Sequence, residues 1–315
     1  MSEPWRPRRR IGAYGICRDP AGRILLVRGS AQSARPGTWF LPGGGVEHGE
    51  HPAAAAIRET AEETGLRAEV IRLVDVTTEL VPRPPVLEHT DGVIYELAVT
   101  GGTLRPEPDG SSDRAWWLAP EQVAALPVSR FAALALDLPV PEPPELLPPA
   151  QPPAAGRGPV RRTGRGQRFA VYGLATDPAE RVLLTLIAGG YPGAGRWHLP
   201  GGGTDFGEQP RDGLLREITE ETGQPGRITR LLDVTHHHNR AELGPEGYPV
   251  DWHGVRAIFR VTVPDPTRPR VLDPGGSTAA AGWFTFPELA GLPLTDHTAS
   301  VLAGGPAALN GGHRG

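Results

Sequence analysis

The 315-residue sequence predicts an α/β protein built as a tandem duplication of one α/β sandwich. Three observations predict it. First, the pattern G-x5-E-x7-R-E-x-x-E-E-x-G occurs twice, beginning at Gly44 and at Gly202. Second, the repeat extends beyond the pattern at one fixed offset (202 − 44 = 158): Ala13-Tyr14-Gly15 matches Val171-Tyr172-Gly173, and Leu73-Val74-Asp75-Val76-Thr77 matches Leu231-Leu232-Asp233-Val234-Thr235. Later the offset grows (283 − 117 = 166), pairing Trp117 with Trp283 and Leu126-Pro127 with Leu292-Pro293. A period this long means a duplicated domain, since solenoid repeats are far shorter. Third, strand-like runs flank one central helix in each copy.

The elements follow in order. Ile11–Cys17 and Arg23–Val27 read as strands around the Asp19-Pro20 turn. Thr38–Leu41 reads as a short strand entering a glycine turn. Pro52–Thr64 reads as a helix, with Pro52 suited to its first turn and Gly65 to its stop. Pro210 and Gly223 bound the matching helix. Val70–Thr77, Val93–Thr100, Ile228–Thr235 and Val255–Val263 read as strands, and Pro120–Leu126 and Val128–Leu138 as helices. The domains run 1–138 and 167–304. Between them 139–166 is first Pro-rich and then Gly/Arg-rich, a composition expected of a linker; a partner-docking motif is the alternative. The Gly-rich 305–315 reads as a disordered tail.

A net charge of -4 makes bulk electrostatics neutral on nucleic acid, and no specific nucleic-acid partner is expected. The single cysteine, Cys17, excludes an intramolecular disulfide and a Cys-based zinc site. No apolar run of signal-peptide or membrane-span length is present, so a cytoplasmic protein without a membrane partner is expected.

On a helix, positions i, i+3 and i+4 share a face. Glu59, Glu62 and Glu63 therefore converge, as do Glu217, Glu220 and Glu221. Bare like charges at that spacing cost about 0.2–0.5 kcal/mol per pair. Each trio has one neighbouring cation in its helix, Arg58 or Arg216, so an external cation is the simplest compensation. Hard carboxylate oxygens select Mg²⁺ or Mn²⁺, which share themselves with substrate phosphates. The glycine turns at Gly43-Gly44-Gly45 and Gly201-Gly202-Gly203 allow close backbone approach and favour phosphate at the helix entrance. The bland alternative is a solvated acidic helix face.

These residues resemble the Nudix box of the Nudix hydrolases, and the resemblance covers about Arg9–Leu138 and Arg168–Gly304. It implies two α/β/α sandwiches with mixed sheets. It also implies hydrolysis of a nucleoside diphosphate linked to another group, using divalent ions. On the matching positions, Glu59, Glu62 and Glu63 would ligate metal with the Gly43 carbonyl, Arg58 would orient the glutamates, and Glu50 would pair with Arg58. Glu217, Glu220, Glu221, Gly201, Arg216 and Glu208 would take the same parts, with Gly44 and Gly202 in the turns. Catalysis would be in-line attack by a metal-activated water. Thr60 and Gln224 depart from the family's apolar preference and are expected to weaken local packing.

The copies diverge after the box. Glu107, Asp109 and Asp113 form an acidic loop in copy one, any of which would serve as general base; copy two retains Asp273, with Ala279 in place of Asp113. His89-Thr90-Asp91 is expected as a loop before the late strand, against Asp251-Trp252-His253 in copy two. His236-His237-His238 is expected as an exposed loop, with substrate or metal contact as the alternative. Trp252 would stack on a base or sit at the rim. Pro82 matches a proline that accompanies ADP-ribose preference in part of the family, although Pro84 and Pro85 stand beside it. The expected protein is a tandem Mg²⁺-dependent hydrolase of nucleoside triphosphates or nucleotide sugars. Copy one, with the richer acidic loop, is the stronger candidate for activity. Domain pairing within the chain or a homodimer is open. Two rivals remain: a nucleotide-sensing module without turnover, and an isoprenoid-diphosphate isomerase, which would require Cys17 in the active site.

Overall fold

The computed structural model describes residues 5–83, 85–107, 110–141, 164–243, 249–303 and 305. Most of the expected linker, all of the tail but residue 305, and Asp109 and Pro84 lie outside them. The chain divides into two compact units, Met1–Val160 with Asp205–Glu208, and Arg161–Thr204 with Gln209–Gly315.

The first unit is mixed α/β. Its order is β1 (Arg6–Cys17), β2 (Ile24–Gly29), β3 (Trp39–Phe40), β4 (Gly43–Gly45), α1 (Pro52–Thr64), β5 (Leu66–Arg83), β6 (Val86–Gly102), β7 (Ser112–Leu118), α2 (Pro120–Ala124) and α3 (Arg130–Ala135). One sheet runs β4-β1-β6-β5 and a second β3-β2-β7. The β1–β6 pair is parallel and the others antiparallel, so the larger sheet is mixed. Helix α1 packs against β1, β4 and β5. Ile16, Ile24, Leu26, Leu41 and Ile94 form a core with Val123 of α2 and Phe131 of α3.

The second unit repeats the plan. It comprises β8 (Arg165–Thr176), β9 (Val182–Ile187), β10 (Trp197–His198), β11 (Gly201–Gly203), α4 (Pro210–Thr222), β12 (Arg227–Leu243), β13 (Pro249–Thr262), β14 (Thr278–Phe284), α5 (Phe286–Leu289) and α6 (Asp296–Leu302). Here the strands join in a single sheet, because Thr176 pairs with Val182 and links β8 to β9. In the first unit the matching turn is bridged only at Arg18 and Ile24.

The central helices begin and end where proline and glycine predict. His51 caps α1 by accepting the Ala53 N–H, and Gly65, at φ +72°, closes it by donating to the Ala61 carbonyl. The strands run longer than hydrophobic patterning suggests. In β1 the arginines before Ile11 are compensated across the ladder: Arg9 pairs with Asp91, and Arg8 and Arg10 approach Glu88.

Three expected loops are corrected. His89-Thr90-Asp91 lies within β6 and is buried. A polar triplet fits a buried strand here because Arg9, Thr78 and His89 all hydrogen-bond the Asp91 carboxylate, at 2.8, 3.1 and 2.9 Å. Its counterpart Asp251-Trp252-His253 lies in β13, where Trp252 packs over Gly166 of β8. His236-His237-His238 is strand, paired with Val255, Gly254 and His253. Asp113 and Ala279 are likewise in strands, β7 and β14.

Cys17 ends β1 fully buried, and burial pushes its thiol up to about 12. It is therefore a protonated core side chain, unsuited to nucleophilic or acid–base work. Among the described residues, no helix is long and apolar enough to cross a membrane.

Candidate functional site

In the first unit the site is assembled by the short path from β3 through Pro42 and β4 into α1. The glycine turn is itself a strand: Gly43, Gly44 and Gly45 pair with Tyr14, Ala13 and Gly12 of β1. Gly43 thereby aims its N–H at Glu63, at 2.9 Å. The Glu59 carboxylate fills the place a side chain at Gly44 would need. The glycines thus let helix carboxylates close onto a backbone strand.

Arg58 organises the carboxylates. Its Nε and one terminal nitrogen hold Glu50 in two 2.9 Å bonds, and the latter nitrogen also reaches the Gly45 carbonyl at 3.0 Å. The other terminal nitrogen donates to Glu59 at 2.9 Å and Glu62 at 3.2 Å. Glu50 also accepts the Glu47 N–H. Glu62 is exposed, whereas Glu63 is buried. Burial, with Glu59, Glu107 and Glu62 nearby, pushes Glu63 up to about 8 despite the Gly43 N–H. Burial also raises Glu59, offset by Arg58.

Of the acidic residues after the box, Glu107 contributes to the field at Glu63. One of its oxygens is buried without a hydrogen-bond partner among the described residues. Asp113 instead makes a two-bond ion pair with Arg28, at 2.8 and 2.9 Å, which holds its carboxyl below the ordinary range.

The second unit repeats the plan with small changes. Gly201 donates to Glu221 at 2.9 Å, and Arg216 donates to Glu217 at 3.2 Å, Glu220 at 3.1 Å and the Gly203 carbonyl at 3.2 Å. The Glu217 carboxylate crowds Gly202 as Glu59 crowds Gly44. In the Asp205–Glu208 segment, which groups with the first unit, Glu208 accepts the Asp205 N–H at 2.7 Å. Glu221 gains a hydroxyl donor, Thr278, at 2.5 Å. Burial and the charges of Glu217 and Glu220 nonetheless push it up to about 7, and burial raises Glu217 too. Asp273 is exposed, and its N–H is tied to the Glu220 carbonyl at 3.2 Å. Gln224 does not loosen its surroundings: its buried amide bonds the Thr222 carbonyl and both the hydroxyl and N–H of Thr267. Thr60 is equally well placed, its buried hydroxyl donating to the Ala56 carbonyl at 2.7 Å.

Each cluster suits a hard divalent cation. Three carboxylates share a helix face, one is buried at a cost that a bound cation would remove, and the backbone of a glycine strand lies beside them.

A cavity of about 340 Å³ opens beside Glu59 and Glu63 in the first unit. Its further lining includes Arg10, Tyr14, Arg35, Phe40 and Phe131. The Arg35 guanidinium lies 5.5 Å from the Phe40 ring centre and pairs with Glu79 at 2.9 Å. Tyr14 and Phe131 pack with ring centres 4.4 Å apart. Arg10 has a buried Nε with no hydrogen-bond partner among the described residues. Sequence spacing reveals none of these cavity residues, because the sheet draws them from separate segments. The signal available was the internal repeat, which keeps Tyr14 as Tyr172 and Arg10 as Arg168.

The NUDIX domain model matches residues 8–137 and again 166–303. A MutT-like protein of Streptomyces ambofaciens is 30% identical over 141 residues, covering 44% of this chain and 84% of that protein. Human diphosphoinositol polyphosphate phosphohydrolase 3-beta is 43% identical over 77 residues, covering 24% of this chain and 42% of that protein. Among solved structures, the MutT NUDIX hydrolase of Burkholderia pseudomallei is 30% identical with a TM-score of 0.35, over 44% of this chain and 98% of that one. The chain belongs to the Nudix hydrolases and carries a Nudix domain in each half.

Proposed function

We propose that the protein hydrolyses the diphosphate linkage of nucleoside diphosphate-X compounds, nucleoside triphosphates or nucleotide sugars, with Mg²⁺ as the metal. Residues 1–138 and 167–304 would be the two working domains. The observation that carries the reading is the buried carboxylate at the centre of each cluster, Glu63 or Glu221, held among other carboxylates beside a glycine strand. Glu59, Glu62 and Glu63 would hold the metal in the first domain, and Glu217, Glu220 and Glu221 in the second. Bound there, the ion would neutralise phosphate oxygens and make a water more acidic.

The chain's own residues supply the rest. Arg58 bonds Glu59 and Glu62, and Arg216 bonds Glu217 and Glu220, which would limit the rearrangement needed on loading. Water attacks one phosphorus in line; a new P–O bond forms as the bridging P–O bond breaks, leaving a nucleoside monophosphate and a phosphorylated X. Glu107, with one buried oxygen unpartnered among the described residues and its charge felt at Glu63, would take the proton of that water in the first domain. The cavity of arginines and aromatic rings beside Glu59 and Glu63 supports a nucleotide as the group carried.

The test is Mg²⁺-dependent release of phosphate or pyrophosphate across a nucleotide panel, with phosphatase coupling for monophosphate products. Wild type is run beside Glu62→Gln/Glu63→Gln and Glu220→Gln/Glu221→Gln. Loss of turnover in one double variant assigns it to that domain. No metal-dependent turnover of any diphosphate by wild type rejects the reading.

A further inference from the structure

The duplication provides a comparison inside one chain. Positions that contact a part common to both ligands should be kept between copies, and positions that contact a differing part should change. Around the first-unit cavity, Arg10 and Tyr14 are kept as Arg168 and Tyr172, and the box glutamates are kept throughout. The rings are not. Phe40 of β3 becomes His198 of β10, and Phe131 of α3 becomes His297 of α6. Arg35, which covers Phe40, becomes Gly193.

The local architecture at the exchanged positions is otherwise preserved. Ser129 caps α3 and Thr295 caps α6, each accepting the N–H three residues on. Tyr172 packs on both histidines, at 4.8 and 5.3 Å between ring centres, as Tyr14 packs on Phe131. What changes is the chemistry offered. The first unit presents aromatic faces, one under a guanidinium, which suits a flat π system. The second presents ring nitrogens: His198 Nδ1 is bonded to Thr295 Oγ1 at 2.9 Å, and His297 Nε2 is buried with no hydrogen-bond partner among the described residues. A buried ring nitrogen without a partner has an unused hydrogen bond, which a ligand hydroxyl would satisfy. Burial keeps both imidazoles neutral near pH 7, so each has one donor and one acceptor nitrogen.

We propose that these two ring positions make the copies select different groups on the diphosphate: a flat nucleobase in the first, and a hydroxyl-rich, sugar-like group in the second. The proposal deepens the hydrolase reading of the same sites and rests on it for the phosphates.

AMP and ribose 5-phosphate test it, since they differ by the base alone. Binding of each to the full-length protein is measured calorimetrically without added metal. Phe40→Leu should weaken AMP at least about 5-fold, the lower end of a lost base stack. Arg35→Met, which leaves the core intact, should weaken it about 2–5-fold. Both should leave ribose 5-phosphate affinity within 2-fold (about), and His297→Phe should do the reverse, weakening ribose 5-phosphate at least about 5-fold. Thermal unfolding checks that each variant is folded. Equal changes for both ligands, or no change in either, would overturn the proposal. Turnover is scored separately: the binding split without turnover rejects only the hydrolase reading, and turnover without the split rejects only this proposal.

Discussion

At Glu63, a backbone N–H and three neighbouring carboxylates act on one buried side chain, and burial dominates. The arrangement depends on partners that hold the other glutamates still. Glu50 is the clearest, taking two bonds from Arg58. Such supporting contacts typically govern about 10–100-fold in metal affinity or activity. Glu50→Gln should therefore cost the first domain about 10–100-fold in Mg²⁺ affinity, read by metal titration of the Glu220→Gln/Glu221→Gln protein; an unchanged affinity would argue that the Arg58–Glu50 pair is ornamental. Gly44→Ala should abolish first-domain turnover without unfolding the chain, because its methyl would displace the Glu59 carboxylate. Retained activity in that variant would show that Glu59 is free to move. The glutamates were legible in the sequence because a helix converts spacing into proximity. Thr278 was not, since its bond to Glu221 spans 57 residues and depends on how β14 lies beside α4.

Among the elements, the central helices were legible to the residue, since proline and glycine fix their ends through backbone geometry. Gly65→Ala tests this: the left-handed φ of +72° and a Thr103 carbonyl 2.6 Å from the added methyl should together destabilise the first unit by about 1–2 kcal/mol or more, visible as a lowered denaturant midpoint. The strands were less legible. Hydrophobic alternation marks only their middles, while the ends of β1 and β6 are charged residues that satisfy one another across the ladder. Gln224 gives the same lesson at a helix exit. It stands where an apolar residue is expected, yet its amide ties the α4 exit to Thr267. Gln224→Leu should cost the second unit about 0.5–1.5 kcal/mol by removing the amide's bonds to Thr222 and Thr267, and a stabilised variant would refute that account.

For the molecule as a whole, duplication has given two units of one architecture with different titration behaviour. Burial holds His198 at about 4 and His297 at about 3, whereas an unfolded histidine titrates near 6.5. Between these values the unfolded chain binds more protons. The stability these rings contribute is thus complete above about pH 6.5 and is lost as pH falls toward 4. The second unit should lose on the order of 2 kcal/mol per ring across that window. The first, with Phe40 and Phe131 at those positions, has no such loss from them. As pH falls from 7 to 5 the raised Glu63 and Glu221 carboxyls stabilise both units on protonation, so the second unit's transition should fall relative to the first's, and His297→Phe should reduce that difference. Parallel movement of both transitions would count against neutral burial of these rings. The split into two units was readable from the offset of the repeat, but the grouping of Tyr172 with His198 and His297 emerged only when residues from distant segments met.

Cys17 has a practical consequence of a different kind. One thiol in 315 residues, fully buried and kept protonated, gives the chain an internal clock for the opening of its first half. A thiol reagent added to native protein would react only as fast as β1 becomes exposed. The labelling rate would therefore time excursions of the first unit.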